Sequence, residues 1–190
     1  MLDRIGDEVA RATSLVRYAP NSSFSSHVHG GGEEFFVLEG EFADEHRTYP
    51  AGTYVRNPIG TAHTPRVGEQ GCVLFVKLHQ FDKDDDAPVV VDTCNTEWPA
   101  PYAPGFELMP LHRFRDESVD LVRWAPNTPY GEHKHPLGEE IFVIEGCFYD
   151  EYGAYPAGSW VRYPDRSSHN DFTRGEGALL YLKSGHLPAN

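Results

Sequence analysis

The chain has 190 residues, room for one or two domains with buried cores. Lys and Arg number 16 and Asp and Glu 29, a net charge of −13 that argues against nucleic-acid partners. No apolar run approaches the ~20 residues of a membrane helix, and the charged residues 1–8 lack the apolar core of a signal peptide.

Few stretches show helical periodicity; from the N-terminus, residues 3–13 carry enough for one or two turns. Strands are predicted over 15–18, 34–38, 53–56 and 73–78, where Val, Phe, Tyr and Thr cluster between turns rich in Gly, Pro and Asn. An acidic, proline-ending stretch at 81–88 and a proline-rich one at 98–105 read as linker, with a short strand at 89–91 between them. The acidic run Asp84, Asp85 and Asp86 reads as solvated.

The second half repeats the first at a shift of 106 without a gap. Glu33-Glu34-Phe35-Phe36-Val37-Leu38-Glu39-Gly40 falls on Glu139-Glu140-Ile141-Phe142-Val143-Ile144-Glu145-Gly146, and Tyr49-Pro50-Ala51-Gly52 on Tyr155-Pro156-Ala157-Gly158. Positions 14–78 and 120–184 share 29 of 65 residues. Two copies are too few for a solenoid. The expected fold is all-β, two tandem barrels spanning 1–95 and 96–190.

The repeat also sorts the 10 histidines. His27, His29, Glu33 and His63 recur as His133, His135, Glu139 and His169. Residues i and i+2 of a strand face the same way, so His27 and His29 can grip one ion. A glutamate past a glycine turn and a histidine from a distant strand would complete the set. All eight are kept while neighbours differ, such as Val28 and Lys134 or Ala62 and Ser168. Three imidazoles and a carboxylate suit Zn, Fe, Mn or Ni, and an octahedral ion would keep two open positions. Glu34 and Glu140 are repeated too and are the alternative carboxylate ligands; alternation favours Glu33 and Glu139 by sending Glu34 and Glu140 to the opposite face, toward a base outside the barrel. His46, His79, His112 and His186 have no histidine partner and read as surface or incidental. Cys72, Cys94 and Cys147 form no CxxC pair, which suits a reducing cytoplasm, and Cys72 and Cys147 read as buried or inert.

These strings resemble the cupin superfamily motifs G(X)5HXH(X)3–4E(X)6G and G(X)5PXG(X)2H(X)3N. His27 to Gly40 and His133 to Gly146 fit the first without its leading glycine; Gly52 to His63 and Gly158 to His169 fit the second without its asparagine. Arg166 stands where that motif has glycine, which makes the turn less free to adopt positive φ. Within cupins the wording is most similar to the ChrR-like group. That resemblance implies a bicupin of two double-stranded β-helix (jelly-roll) barrels, with one divalent metal ion in each.

The resemblance implies two functions. One is a metal-dependent dioxygenase that cleaves a C–C bond in a ketone or diketone-like small molecule. Arg56 and Arg162 would then stand behind the ligands or form structural salt bridges, and Tyr49, Tyr155 and Trp160 would line a pocket or fill the core. The other is a non-catalytic zinc-binding sensor like the C-terminal cupin of an anti-sigma factor, although the separate His/Cys sigma-binding zinc domain has no counterpart here. Exposed barrel edges suit a homodimer.

Overall fold

A computed structural model describes residues 1–187. These divide into two compact units, Met1–Glu97 and a second that begins at Trp98. No helix is present among the described residues, so none is long and apolar enough to cross a membrane. Residues 3–13, expected to turn helically, instead give β1 (Asp3–Ile5) and the start of β2 (Arg11–Tyr18), which pair antiparallel. The burial of Ala12, Thr13 and Ser14 on the sheet outweighs the weak helical pattern.

The first unit continues with β3 (His27–Val28), β4 (Glu33–Ala43), β5 (Thr48–Pro50), β6 (Thr53–Asn57), β7 (Ala62–His63), β8 (Arg66–Leu78) and β9 (Val89–Asp92). One sheet runs β1-β2-β8-β4-β6-β9 with β5 on β4, and β3 and β7 form a separate two-stranded sheet. Phe35, Val37, Phe42, Tyr49, Val55, Val67, Cys72, Leu74 and Val76 fill the core between them. Phe35 and Val37 share parity with Glu33 along β4, so alternation puts Glu33 on the core face and Glu34 on the other.

The second unit contains β10 (Phe106–Phe114), β11 (Glu117–Trp124), β12 (Pro129–Lys134), β13 (Glu139–Tyr149), β14 (Ala154–Pro156), β15 (Trp160–Tyr163) and β16 (Ser168–Ser184). Its sheet runs β10-β11-β16-β13-β14, with β12 on β16 and β15 on β13. Its core holds Phe106, Val122, Trp124, Ile141, Val143, Phe148, Tyr163, Ala178 and Leu180.

In each unit the two long central strands bend past one another at a bulge. The registers of β4 on β8 and of β13 on β16 shift around Gly40 and Gly146. A Cβ on Gly40 would lie 2.0 Å from the Gly71 carbonyl oxygen, and one on Gly146 2.2 Å from that of Gly177. Only glycine permits this approach at positive φ.

The stretch at 81–88 is not a free linker. Asp85 is buried and pairs with Arg56, whose guanidinium also lies 3.9 Å from the Phe81 ring centre. A buried guanidinium needs anionic partners, and this segment supplies one.

Candidate metal centres

In the first barrel the short pairing of β3 with β7 sets His27 directly opposite His63. His29 follows β3, and the turn through Gly30, Gly31 and Gly32 returns the chain to Glu33 at the head of β4. The donor atoms of these four side chains lie within 4.8 Å of one another. His29, Glu33 and His63 are buried or nearly so, while His27 is exposed at the mouth.

The hydrogen bonds around the rings assign their protons. His27 Nδ1 donates to the Ser25 carbonyl at 3.3 Å. The Thr61 hydroxyl donates to the Pro58 carbonyl, so it accepts from His29 Nδ1 at 2.9 Å. His63 Nδ1 lies 3.4 Å from Asp44 Oδ2. The Nε2 atoms of His27 and His29 are thus left as lone pairs, and His63 Nε2 faces the same space. His27 and His63 approach through Nε2 at 3.3 Å; His29 and His63 Nε2 lie 3.3 and 3.6 Å from Glu33 Oε2. Asn57 Nδ2 donates to that same oxygen at 3.0 Å.

The electrostatics follow from this crowding. Burial, then the neighbouring His63 and His27, push the His29 pKa down to about 4, so the ring is neutral at pH 7. Burial raises the Glu33 carboxyl above its ordinary range, against the pull of His63 and Asn57. Burial also tends to raise Asp44, but the backbone N–H groups of Arg47 and His46 and the Tyr49 hydroxyl outweigh it and hold Asp44 low.

The second barrel repeats the grouping with different supports. His133 lies opposite His169 across β12 and β16, and the donor atoms of His133, His135, Glu139 and His169 again fall within 4.8 Å. His133 Nδ1 donates to the Gly131 carbonyl at 3.0 Å. Ser184 Oγ donates to Glu139 at 2.9 Å, replacing the role of Asn57. His169 Nδ1 contacts Asp171 rather than Asp150, and its ring stacks on Tyr163 at 3.7 Å between centroids. His135 turns the other way from His29: its Nδ1 lies 3.3 Å from Glu139, and its Nε2 lies 2.5 Å from His169 Nε2. Arg166 takes φ +61° where Gly60 takes +86°, so the turn forms despite the substitution.

Glu34 and Glu140 face away from these groups, as alternation requires, but onto a buried face rather than an outer one. Glu34 pairs with buried Arg56, and Glu140 with Arg162 at 2.6 Å. Both arginines are therefore structural partners of glutamate. Tyr49 is core, with its hydroxyl on Asp44 at 2.9 Å, and Tyr155 likewise reaches Asp150 at 3.1 Å. Trp160 lies under the Arg162 guanidinium, 4.9 Å from it. His112 and His186 were expected to be surface or incidental; His112 is buried, and His186 is half-buried with its side chain covered and Nε2 3.5 Å from Glu140. Cys72 and Cys147 are buried, and burial pushes the Cys72 thiol up to about 12.

Whether these groupings suit a divalent ion can be judged from their own atoms. His29 Nε2 is buried without a hydrogen-bond partner, and so is Glu139 Oε1. An unpaired buried acceptor beside a carboxylate is costly. A cation among the donors would satisfy both, and neutral imidazole with carboxylate is a donor set that transition metals accept. The residues therefore fit such an ion.

Asp44, Asp171, Thr61 and Asn57, which orient or support these groups, did not emerge from sequence spacing. Asp44 recurs as Asp150, so the repeat carried a signal for it.

Solved structures share the fold across nearly the whole chain. A candidate dioxygenase from Nostoc punctiforme matches with TM-score 0.81 and 16% identity, covering 95% of this chain and 71% of that one. A variant of salicylate 1,2-dioxygenase from Pseudoaminobacter salicylatoxidans gives 0.68 and 13%, covering 90% and 69%. A variant of oxalate decarboxylase from Bacillus subtilis gives 0.65 and 15%, covering 91% and 68%. No curated protein sequence matches significantly. The family model described as the ChrR cupin-like domain matches residues 1–82 and again 86–188. Taken with the two β-barrels, these matches show that the chain belongs to the ChrR cupin-like family and carries two tandem cupin barrels.

Proposed function

We propose that the protein is a metal-dependent small-molecule enzyme of dioxygenase type, holding one divalent ion in each barrel and cleaving a C–C bond in a ketone or diketone-like substrate. The observation that carries this reading is the first grouping: three inward-facing Nε2 atoms and one carboxylate at a mouth where His27 is exposed. His27, His29, Glu33 and His63 would hold the ion there; His133, His135, Glu139 and His169 would hold the other. When bound, such an ion acts as a Lewis acid toward an oxygen-bearing substrate. The protein's part is to keep the imidazoles neutral and aimed. Ser25 and Thr61 do so by occupying the Nδ1 atoms of His27 and His29, and Asp44 faces that of His63 at 3.4 Å. The activities named for the salicylate and Nostoc proteins support oxygen chemistry as a use of this architecture.

A second reading is a non-catalytic zinc sensor. It is favoured by the glutamate beside three histidines, which allows four protein donors to close a zinc site without an open position. Metal analysis of the purified protein, followed by oxygen uptake on 1,3-diketones with the Fe(II) form, separates the two. Oxygen consumption coupled to diketone loss is expected. Tightly held zinc with no turnover in the Fe(II) form would sink the enzyme reading and leave the sensor.

A further inference from the structure

The two barrels differ in which carboxylate backs the third histidine. In the first, Asp44 has four tasks. Its Oδ1 accepts the backbone N–H groups of His46 at 2.8 Å and Arg47 at 3.0 Å. Its Oδ2 accepts the Tyr49 hydroxyl at 2.9 Å and faces His63 Nδ1 only at 3.4 Å. In the second barrel these tasks are divided. Asp150, the counterpart of Asp44, keeps the loop: it accepts Tyr152 N–H at 2.7 Å, Gly153 N–H at 2.9 Å and the Tyr155 hydroxyl at 3.1 Å. Tyr163, standing where the first barrel has Asn57, donates its hydroxyl to Asp150 Oδ2 at 2.7 Å. Asp171, standing where the first barrel has Pro65, then takes His169 Nδ1.

Asp171 is buried, and its ion pair is with His169 Nδ1, the Asp150 carboxylate lying in the same close cluster. A carboxylate that spends its charge on a single imidazole N–H fixes the tautomer and makes the opposite nitrogen a stronger donor. Asp44 spreads the same charge over four N–H and O–H groups. Two further differences act in the same direction. Both third histidines are buried, but His169 is stacked on Tyr163 at 3.7 Å, whereas the aromatic side chain beside His63, Phe42, is tilted and 6.0 Å away. His133 is half-buried with Tyr130 against it at 4.6 Å, whereas His27 is exposed.

We infer that Asp171 is a positioning residue for His169, and that the second barrel holds its metal ion more tightly than the first. The first is then the exchangeable site. This rests on the reading that both groupings bind a divalent ion.

The test is metal release from the full-length chain. The protein is loaded with Zn(II) and mixed with excess chromophoric chelator. Two release phases are expected. His29→Ala should remove the fast phase and His135→Ala the slow one. Asp171→Asn should speed the slow phase by about 10–100-fold and leave the fast phase alone, since losing such a partner weakens metal binding by that order. Asp171→Glu should restore much of the slowness, which a merely structural role would not do. Asp44→Asn should change only the fast phase. Asp150→Asn should lower the melting temperature with less effect on release. Equal release from both barrels, or an unchanged slow phase in Asp171→Asn, would overturn the inference. If Asp171→Asn does not fold, the wild-type phases, assigned by the histidine variants, still decide which barrel is tighter. Absence of bound metal in both barrels would instead overturn the underlying reading, and the stoichiometry distinguishes that case.

Discussion

His29 turns its Nε2 lone pair toward Glu33 Oε2 at 3.3 Å, because its single imidazole proton is committed to Thr61. Two acceptors face each other in a buried place, an arrangement that a cation would relieve. His29→Ala and His135→Ala should each cost one bound ion per chain, read by mass spectrometry of the purified protein. Thr61→Val should weaken metal binding in the first barrel alone, because His29 then loses the group that fixes its tautomer.

Metal-free protein should lose stability as pH falls from about 6.5 toward 4. His29 has its pKa lowered to about 4 in the folded state, against an ordinary value of 6.5. Between those values the unfolded chain takes up a proton that the folded one refuses, so acid favours unfolding. The contribution is complete above 6.5 and lost by about 4. Chemical denaturation of the chelated protein across this range checks it, and His29→Asn should flatten the slope.

Arg56→Met should destabilise the first barrel by about 3–5 kcal/mol, because it removes the guanidinium that the buried carboxylates of Glu34 and Asp85 both face. Urea unfolding measures this. Removing all three charges together should cost much less than the single change.

Arg166→Gly should stabilise the second barrel. Arg166 holds φ +61° with its side chain 81% exposed, so little packing is lost. Left-handed backbone costs a non-glycine residue about 1–2 kcal/mol. The added entropy of glycine in the unfolded chain offsets about 0.5–1 kcal/mol of that. A net gain of about 0.5–1 kcal/mol is expected in thermal or urea unfolding.

The groupings of four were legible because their logic is local and doubled. Two histidines at i and i+2 share a face, and the offset of 106 repeats the pattern. Strand parity separated Glu33 from Glu34 for the same reason. The supporting residues were harder to read. Asp171 and Tyr163 replace Pro65 and Asn57, so the repeat that exposed the histidines hides them. Asp85 sits in an acidic, linker-like stretch, and only the partner it finds in Arg56 explains its burial. His186 has no periodic context at all, yet it ends beside Glu140.

Gly40 beneath Gly71, and Gly146 beneath Gly177, have a consequence for reading relatives of this chain. Their demand is purely steric and involves none of the histidines. A relative that had traded away every histidine could keep both glycine pairs and the barrels with them. The glycines are the signature of the vessel, and the histidines of what it carries.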